Sequence, residues 1–162
     1  MKTIIDKPTN IDKDLLNQLI DLVEKGDQVQ RNYIERGIKT ADLIALYVLN
    51  DVILSSATLK NPLKSYKDSV FQLAEVEKLN NDSIQELGYI ITNPEHEGQK
   101  LCQRLLTEFF KIIGEKQMFA TTRKPSMAHI LSKFGFEKIG HKYKVDLELL
   151  VFNVKDNNRT TI

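Results

Sequence analysis

The stretch at residues 93–116, NPEHEGQKLCQRLLTEFFKIIGEK, decides how this chain is read. It follows the apolar run SIQELGYIIT, which Pro94 stops because proline brings no N–H to a sheet ladder. One glycine, Gly98, stands near the start of a helical pattern running from about residue 97 to residue 114. Its buried stripe is Leu101, Cys102, Leu105, Leu106, Phe109, Ile112 and Ile113. The unit is strand, turn, helix. A helix start exposes unpaired N–H groups and a partial positive charge, which suits an anion. Gly98 permits close backbone approach. Lys100, in the expected first turn, opposes the helix dipole by roughly 0.3–1 kcal/mol, and an anionic ligand reverses that sign. Glu97 favours the helix and disfavours a phosphate. Three readings stay open: a phosphate cradle, a decayed one, or a plain helix start.

Working outward, residues 2–5 read as a short edge strand. TNIDKDLLNQLIDLVEKGD follows, with Leu15, Leu16, Leu19, Ile20 and Val23 on one helical face, Asn10 or Thr9 as its cap and Lys25-Gly26 at its end. The segment with Tyr33, Ile34 and Arg36 reads as a short helix plus loop. DLIALYVLNDVILSSATLKNP is a hairpin about Asn50-Asp51. Val70, Leu73 and Ala74 suggest a short helix before a polar loop. QMFATT is a strand, PSMAHILSKFGF a helix capped by Ser126 and stopped at Gly135, and FEKIGHKYKV and DLELLVFNV are two final strands. Hairpins early and late, with strand–helix alternation between, predict one domain over residues 1–162. Its class is α/β, a mixed sheet covered by helices on both faces.

At 162 residues the chain is long enough for a substantial core. Hydrophobic residues make up 41% and charged ones 28%, with a net charge of +1, which gives no nucleic-acid footprint. MKTIIDKPTN lacks a long apolar core, so neither a signal peptide nor a membrane span is expected. The single cysteine, Cys102, excludes an internal disulfide and fits a reducing, cytoplasmic setting. His96, His129 and His141 have no metal-ligand spacing, so no metal is expected.

Three pieces, in order, carry a resemblance: ELGYIITNPEHEGQKLCQRLL, the strand FATTR, and SMAHILSKFGFEKIG. Over residues 84–143 the chain resembles the GNAT superfamily of acyl-CoA-dependent N-acyltransferases. In that family a strand ends at a proline, and Arg/Gln-x-x-Gly-x-Gly/Ala opens the next helix. Here Glu97, Gly98, Gln99, Lys100, Leu101 and Cys102 fall on that pattern, so an acid replaces the first residue and Lys100 and Cys102 replace the two family glycines. The resemblance implies a GNAT-like mixed, mostly antiparallel central sheet. It implies acetyl-CoA as co-substrate and a primary amine, on a small molecule or peptide, as acceptor. No nucleic acid or membrane partner is implied, and a homodimer is left open. Cofactor contacts are implied at Ile90, Ile91 and Thr92, whose backbone would read the pantetheine, and at residues 97–102 for the diphosphate. Thr121, Thr122, Arg123 and Lys124 would line the cofactor from the neighbouring strand. The strand with Leu87 is expected to be central and to part from the strand holding Met118.

Acyl transfer needs a neutral amine, a place for the developing oxyanion and a route for thiolate to leave. The resemblance puts Glu86 where relatives hold a strand glutamate that draws the amine proton; Glu75 and Glu77 are alternatives. Leu131 stands where many relatives carry a Tyr acid. Tyr143, or Tyr89, is the candidate substitute, although each also reads as a core aromatic. Cys102 invites a nucleophile role, but its place on the apolar stripe favours a structural one. The rival reading is a catalytically silent GNAT-like module that binds coenzyme A or a protein partner.

Overall fold

A computed structural model describes residues 1–27 and 29–152. In chain order the elements are β1 (Lys2–Asp6), α1 (Lys13–Asp27), α2 (Arg31–Lys39), β2 (Leu43–Leu49), β3 (Val52–Lys60), α3 (Lys64–Leu73), β4 (Gln85–Thr92), α4 (Leu101–Ile113), β5 (Met118–Thr122), α5 (Pro125–Lys133), β6 (Phe136–Tyr143) and β7 (Leu147–Phe152). Asn153 and Val154, placed by their sequence in the last strand, lie outside the described residues. The strand order is β1-β2-β3-β4-β5-β7-β6, which makes β4 the middle strand. The β1–β2, β2–β3, β5–β7 and β6–β7 ladders are antiparallel and β4–β5 is parallel, so the sheet is mixed and mostly antiparallel. The chain divides into two compact units, Met1–Asn61 with Leu87–Gly114, and Pro62–Glu86 with the described chain from Glu115 on.

In the first unit the β2–β3 hairpin turns at Asn50 and Asp51, both with positive φ, 49° and 62°. Asn and Asp tolerate that region, which is why the turn was legible. Ile44, Leu46 and Val48 share one core with Leu19, Ile20 and Val23 of α1 and Ile34 and Ile38 of α2. Tyr47, one residue out of phase, donates a hydrogen bond to Glu108 of α4 instead. Side chains alternate across a strand, so α1 and α2 cover one face of this unit's strands and α4 covers the other. Burial, with the Glu108 carboxylate beside it, pushes the Tyr47 hydroxyl up to about 12. At the start of α1, Asp12 accepts from the Asp14 amide at 2.8 Å. The expected cap, Asn10, donates to Asp6 instead.

In the second unit Val70, Phe71 and Ala74 of the α3 region pack with Ile84, Phe119, Tyr143, Leu149 and Val151. The Phe71 and Phe119 rings meet edge-on, 5.3 Å between centroids. Leu73, expected on the buried face, is exposed, and Phe71 takes its place. Helix α5 opens with Pro125 at its first position after Lys124, so Ser126 is not its cap. The Thr122 hydroxyl accepts from the Lys124 amide at 3.0 Å and turns the chain into the helix. Gly135, at φ 100°, ends it as expected.

Lys67 is a buried cation in this unit, 6% exposed. Its ammonium donates to the Asn81 carbonyl at 2.7 Å and the Ile84 carbonyl at 3.5 Å. Both acceptors lie just before β4, so one side chain of α3 pins the segment that delivers Glu86. Lys67→Met keeps the length of the stem but leaves those carbonyls without their charged donor. We expect it to destabilise the protein by about 2 kcal/mol, the scale of a lost charge-assisted bond. Urea unfolding of the two proteins checks it; equal midpoints would contradict the tether.

Candidate active site

Proline ends β4 as its sequence predicts. Asn93 caps a short 3-10 turn at Pro94–His96, its side chain accepting from the Glu95 amide at 3.1 Å. The helix then starts four residues later than its periodicity suggests. Residues 97–100 are exposed loop, and α4 begins at Leu101. The cause is backbone geometry: Gly98 has φ 82° and Lys100 φ 58°, and left-handed residues cannot continue a right-handed helix. Lys100 is therefore the N-cap residue, with φ 58° and ψ 25°, and it makes no side-chain capping bond. Glu97, placed by its sequence at the helix start, is three residues ahead of that cap.

Two consequences follow for anion binding. The amides opening this 13-residue helix receive no side-chain cap from Lys100. Nothing lies within 4 Å of where a Cβ on Gly98 would sit, so the turn is open there. Gln99 and Lys100 are exposed beside it, and Leu101 is buried. Cys102 is half-buried, and burial pushes its thiol up to about 11. Ile112, assigned by its sequence to the buried stripe, is 58% exposed beside exposed Lys111, while Phe109 and Ile113 of the same turn are buried.

Before this turn, β4 itself is kinked. Tyr89 has φ 49° in the middle of the strand, a conformation that costs a non-glycine residue about 1–3 kcal/mol. Its surroundings hold it there. The Lys60 ammonium lies 4.2 Å from the ring centroid. The hydroxyl rests on Gly37 of α2, where an added methyl group would overlap it. The Tyr89 carbonyl accepts from the Ser56 hydroxyl at 2.8 Å and the Ile91 carbonyl from Ser55 at 3.3 Å. Ser55 also meets the Thr92 hydroxyl at 3.3 Å. Ile90, Ile91 and Thr92 are each partly buried. Tyr89 therefore shapes the strand, which its sequence reading as a core aromatic or acid does not show.

The ladder between β4 and β5 has two register pairs, Gln85↔Met118 and Glu86↔Phe119, and ends there. At that point, in the second unit, Glu86 is 3% exposed. Its Oε2 accepts from the Tyr66 hydroxyl at 3.0 Å. Burial, then the charge of Glu86, holds the Tyr66 hydroxyl well above the usual phenol range. Tyr143, 7% exposed, has a buried hydroxyl with no hydrogen-bond partner among the described residues. Burial and Glu86 push it up to about 12, against the pull of Arg123. Arg123 is itself paired with Asp146 at 2.9 Å. The structure thus sets Tyr66 against Glu86, with Tyr143 near enough to feel the Glu86 charge. Tyr66 is the member the sequence did not reveal, since nothing local marks a tyrosine twenty residues before the carboxylate it contacts. Lys124 is exposed at the cap of α5, and His96 and His129 have no contact with this group among the described bonds. Glu75 is exposed and pairs with His141 at 3.2 Å, and Glu77 is exposed, so neither shares the burial of Glu86. Among the described residues no group of three His, Cys, Asp or Glu is placed to hold a metal ion, and no helix is long and apolar enough to cross a membrane.

The fold agrees with solved structures. An acyl-CoA N-acyltransferase from Pseudomonas aeruginosa superposes with a TM-score of 0.70 at 10% identity, over 93% of this chain and 98% of that one. The fold is the GNAT fold. A GNAT-family acetyltransferase from Streptococcus agalactiae gives 0.65 at 17% identity, over 93% and 94% of the two chains. N-acetylglutamate synthase from Neisseria gonorrhoeae, solved with coenzyme A and N-acetyl-glutamate, gives 0.56 at 15% identity, over 94% of this chain and 35% of that one. No family model matches the sequence. No curated protein matches it either. In GNAT-fold terms β4, its turn and α4 form the central strand–turn–helix, and the β6–β7 hairpin closes the far end of the strand order.

Proposed function

We propose that the protein is an N-acetyltransferase that moves an acetyl group from acetyl-CoA to a primary amine. The observation that carries this reading is the GNAT-fold turn into α4, open at Gly98 and uncapped at Lys100. The residues present fit a diphosphate: backbone amides at the start of α4 would hold it, with the Lys100 ammonium nearby and Gly98 giving clearance. Residues 90–92 would read the pantetheine, and Lys124 is a further cofactor contact. Acetyl-CoA would supply an activated thioester whose thiolate leaves readily, a thiol's ordinary pKa being about 8.5. Glu86, on the same strand, is the base, and Tyr143 the proton donor in place of the tyrosine that Leu131 replaces. A single domain working in the cytoplasm fits this reading.

Loss of that tyrosine favours a second reading. Leu131 is 1% exposed, a core residue with no chemistry to offer, as in a silent module that only binds coenzyme A or a protein. Calorimetry with coenzyme A, run beside thiol release from acetyl-CoA over an amine panel, separates the two. We expect binding and release. Binding without release on any amine supports the silent module, and no binding removes both readings.

Lys100 tests the cradle directly. Lys100→Glu is expected to weaken coenzyme A binding by more than about 1 kcal/mol, and binding of dephosphorylated pantetheine far less. Lys100→Gly removes the left-handed strain and should raise stability by about 1 kcal/mol in urea unfolding. Unaltered binding of both ligands in Lys100→Glu would make Lys100 a solvated side chain and no more.

A further inference from the structure

Glu86 has a difficulty as a base: at 3% exposure its carboxylate is enclosed by the protein. One hydrogen bond to that carboxylate comes from a side chain that is itself partly exposed. Tyr66 donates to Glu86 Oε2 at 3.0 Å, yet Tyr66 as a residue is 40% exposed. We propose that Tyr66 is a catalytic residue that takes the acceptor amine's proton and hands its own to Glu86. The inference rests on the acyltransfer reading above.

The valences allow it. A hydroxyl has one donor and two acceptor lone pairs. The Tyr66 donor is spent on Glu86, which leaves the lone pairs of its oxygen for an N–H of the acceptor. As nitrogen bonds to the acetyl carbon, its N–H breaks toward Tyr66 Oη, while the Tyr66 O–H breaks toward Glu86 Oε2. The net change is one proton moved from nitrogen to Glu86. Tyr66 ends as the phenol it began as, the C–S bond breaks, and the thiolate leaves to be protonated. Environment suits a concerted hand-over, because a hydroxyl held above its ordinary range does not rest as tyrosinate. Tyr66 is also held in place: α3 carries it, and Lys67 of the same helix ties that helix to the approach of β4. Tyr143 does not serve this purpose, since its hydroxyl has no hydrogen-bond partner among the described residues.

The test compares the wild type, Tyr66→Phe, Glu86→Gln and the double variant, with acetyl-CoA and an amine panel. Tyr66→Phe is expected to lower kcat about 100-fold, the lower range for losing a proton-transfer group. Coenzyme A should bind within twofold of the wild type, and adding Glu86→Gln should cost no more. In mixed light and heavy water the wild-type rate should curve, with two protons in flight, and the Tyr66→Phe rate should be linear. If Tyr66→Phe does not fold, 3-fluorotyrosine at position 66 replaces it and should keep the curvature with an altered rate. A Tyr66→Phe protein with the wild-type kcat overturns the relay and leaves the acyltransfer reading standing. A 3-fluorotyrosine protein with a linear response does the same. A wild type that binds coenzyme A but acetylates no amine overturns the acyltransfer reading, and the relay with it.

Discussion

Gly140→Ala is expected to lower the unfolding free energy by about 3 kcal/mol or more, the range reserved for core overlap and backbone strain together. Gly140 sits in β6 at φ 74°, where the pairing with β7 is irregular between Ile139 and Tyr143. A methyl group there would overlap the Ala74 carbonyl oxygen and come within 3.1 Å of Val76 Cγ1. The carbonyl cannot move aside, because it accepts the His141 amide at 3.0 Å and belongs to the turn that ends α3. Gly98→Ala is the control: φ is 82° there, but nothing stands within 4 Å, so strain alone acts and about 1–2 kcal/mol is expected. Urea unfolding of both variants separates the contributions. A Gly140→Ala cost no larger than that of Gly98→Ala would mean that the β6 irregularity does not hold the α3 segment.

Glu86→Gln should reduce kcat/KM at least 100-fold, with coenzyme A affinity unchanged. The substitution is close to isosteric, and the amide oxygen still accepts from Tyr66, so the fold has no reason to change. Only the capacity to take a proton is lost. The deficit should be greatest at low pH, where neutral amine is scarcest and a base matters most. Rates matching the wild type across the pH range would retire Glu86 and, with it, any relay that ends there.

These two sites differ in how far the sequence revealed them. Glu86 was legible only through the GNAT resemblance, which puts it where relatives hold a strand glutamate. Its partner was not, since Tyr66 reaches it from a helix whose own periodicity only says which side is buried. Even that was partly misread: Phe71 and not Leu73 faces the core, and Leu73 is 45% exposed. Ile112 shows the same limit on α4.

The sequence by itself determined the order and type of the elements, the Asn50-Asp51 hairpin, the end of β4 at Pro94 and the GNAT resemblance. Each depends on interactions between residues a few positions apart, which periodicity and turn chemistry report. Tertiary structure alone decided where α4 starts, that Tyr89 kinks β4, and that Glu86 is buried against Tyr66. Lys100 and Tyr89 adopt left-handed conformations that their own propensities oppose. Such conformations persist only where packing and hydrogen bonds from distant segments outweigh about 1–3 kcal/mol of local cost. For Tyr89 those segments are Lys60, Gly37 and Ser56, brought to it by folding and not by sequence proximity.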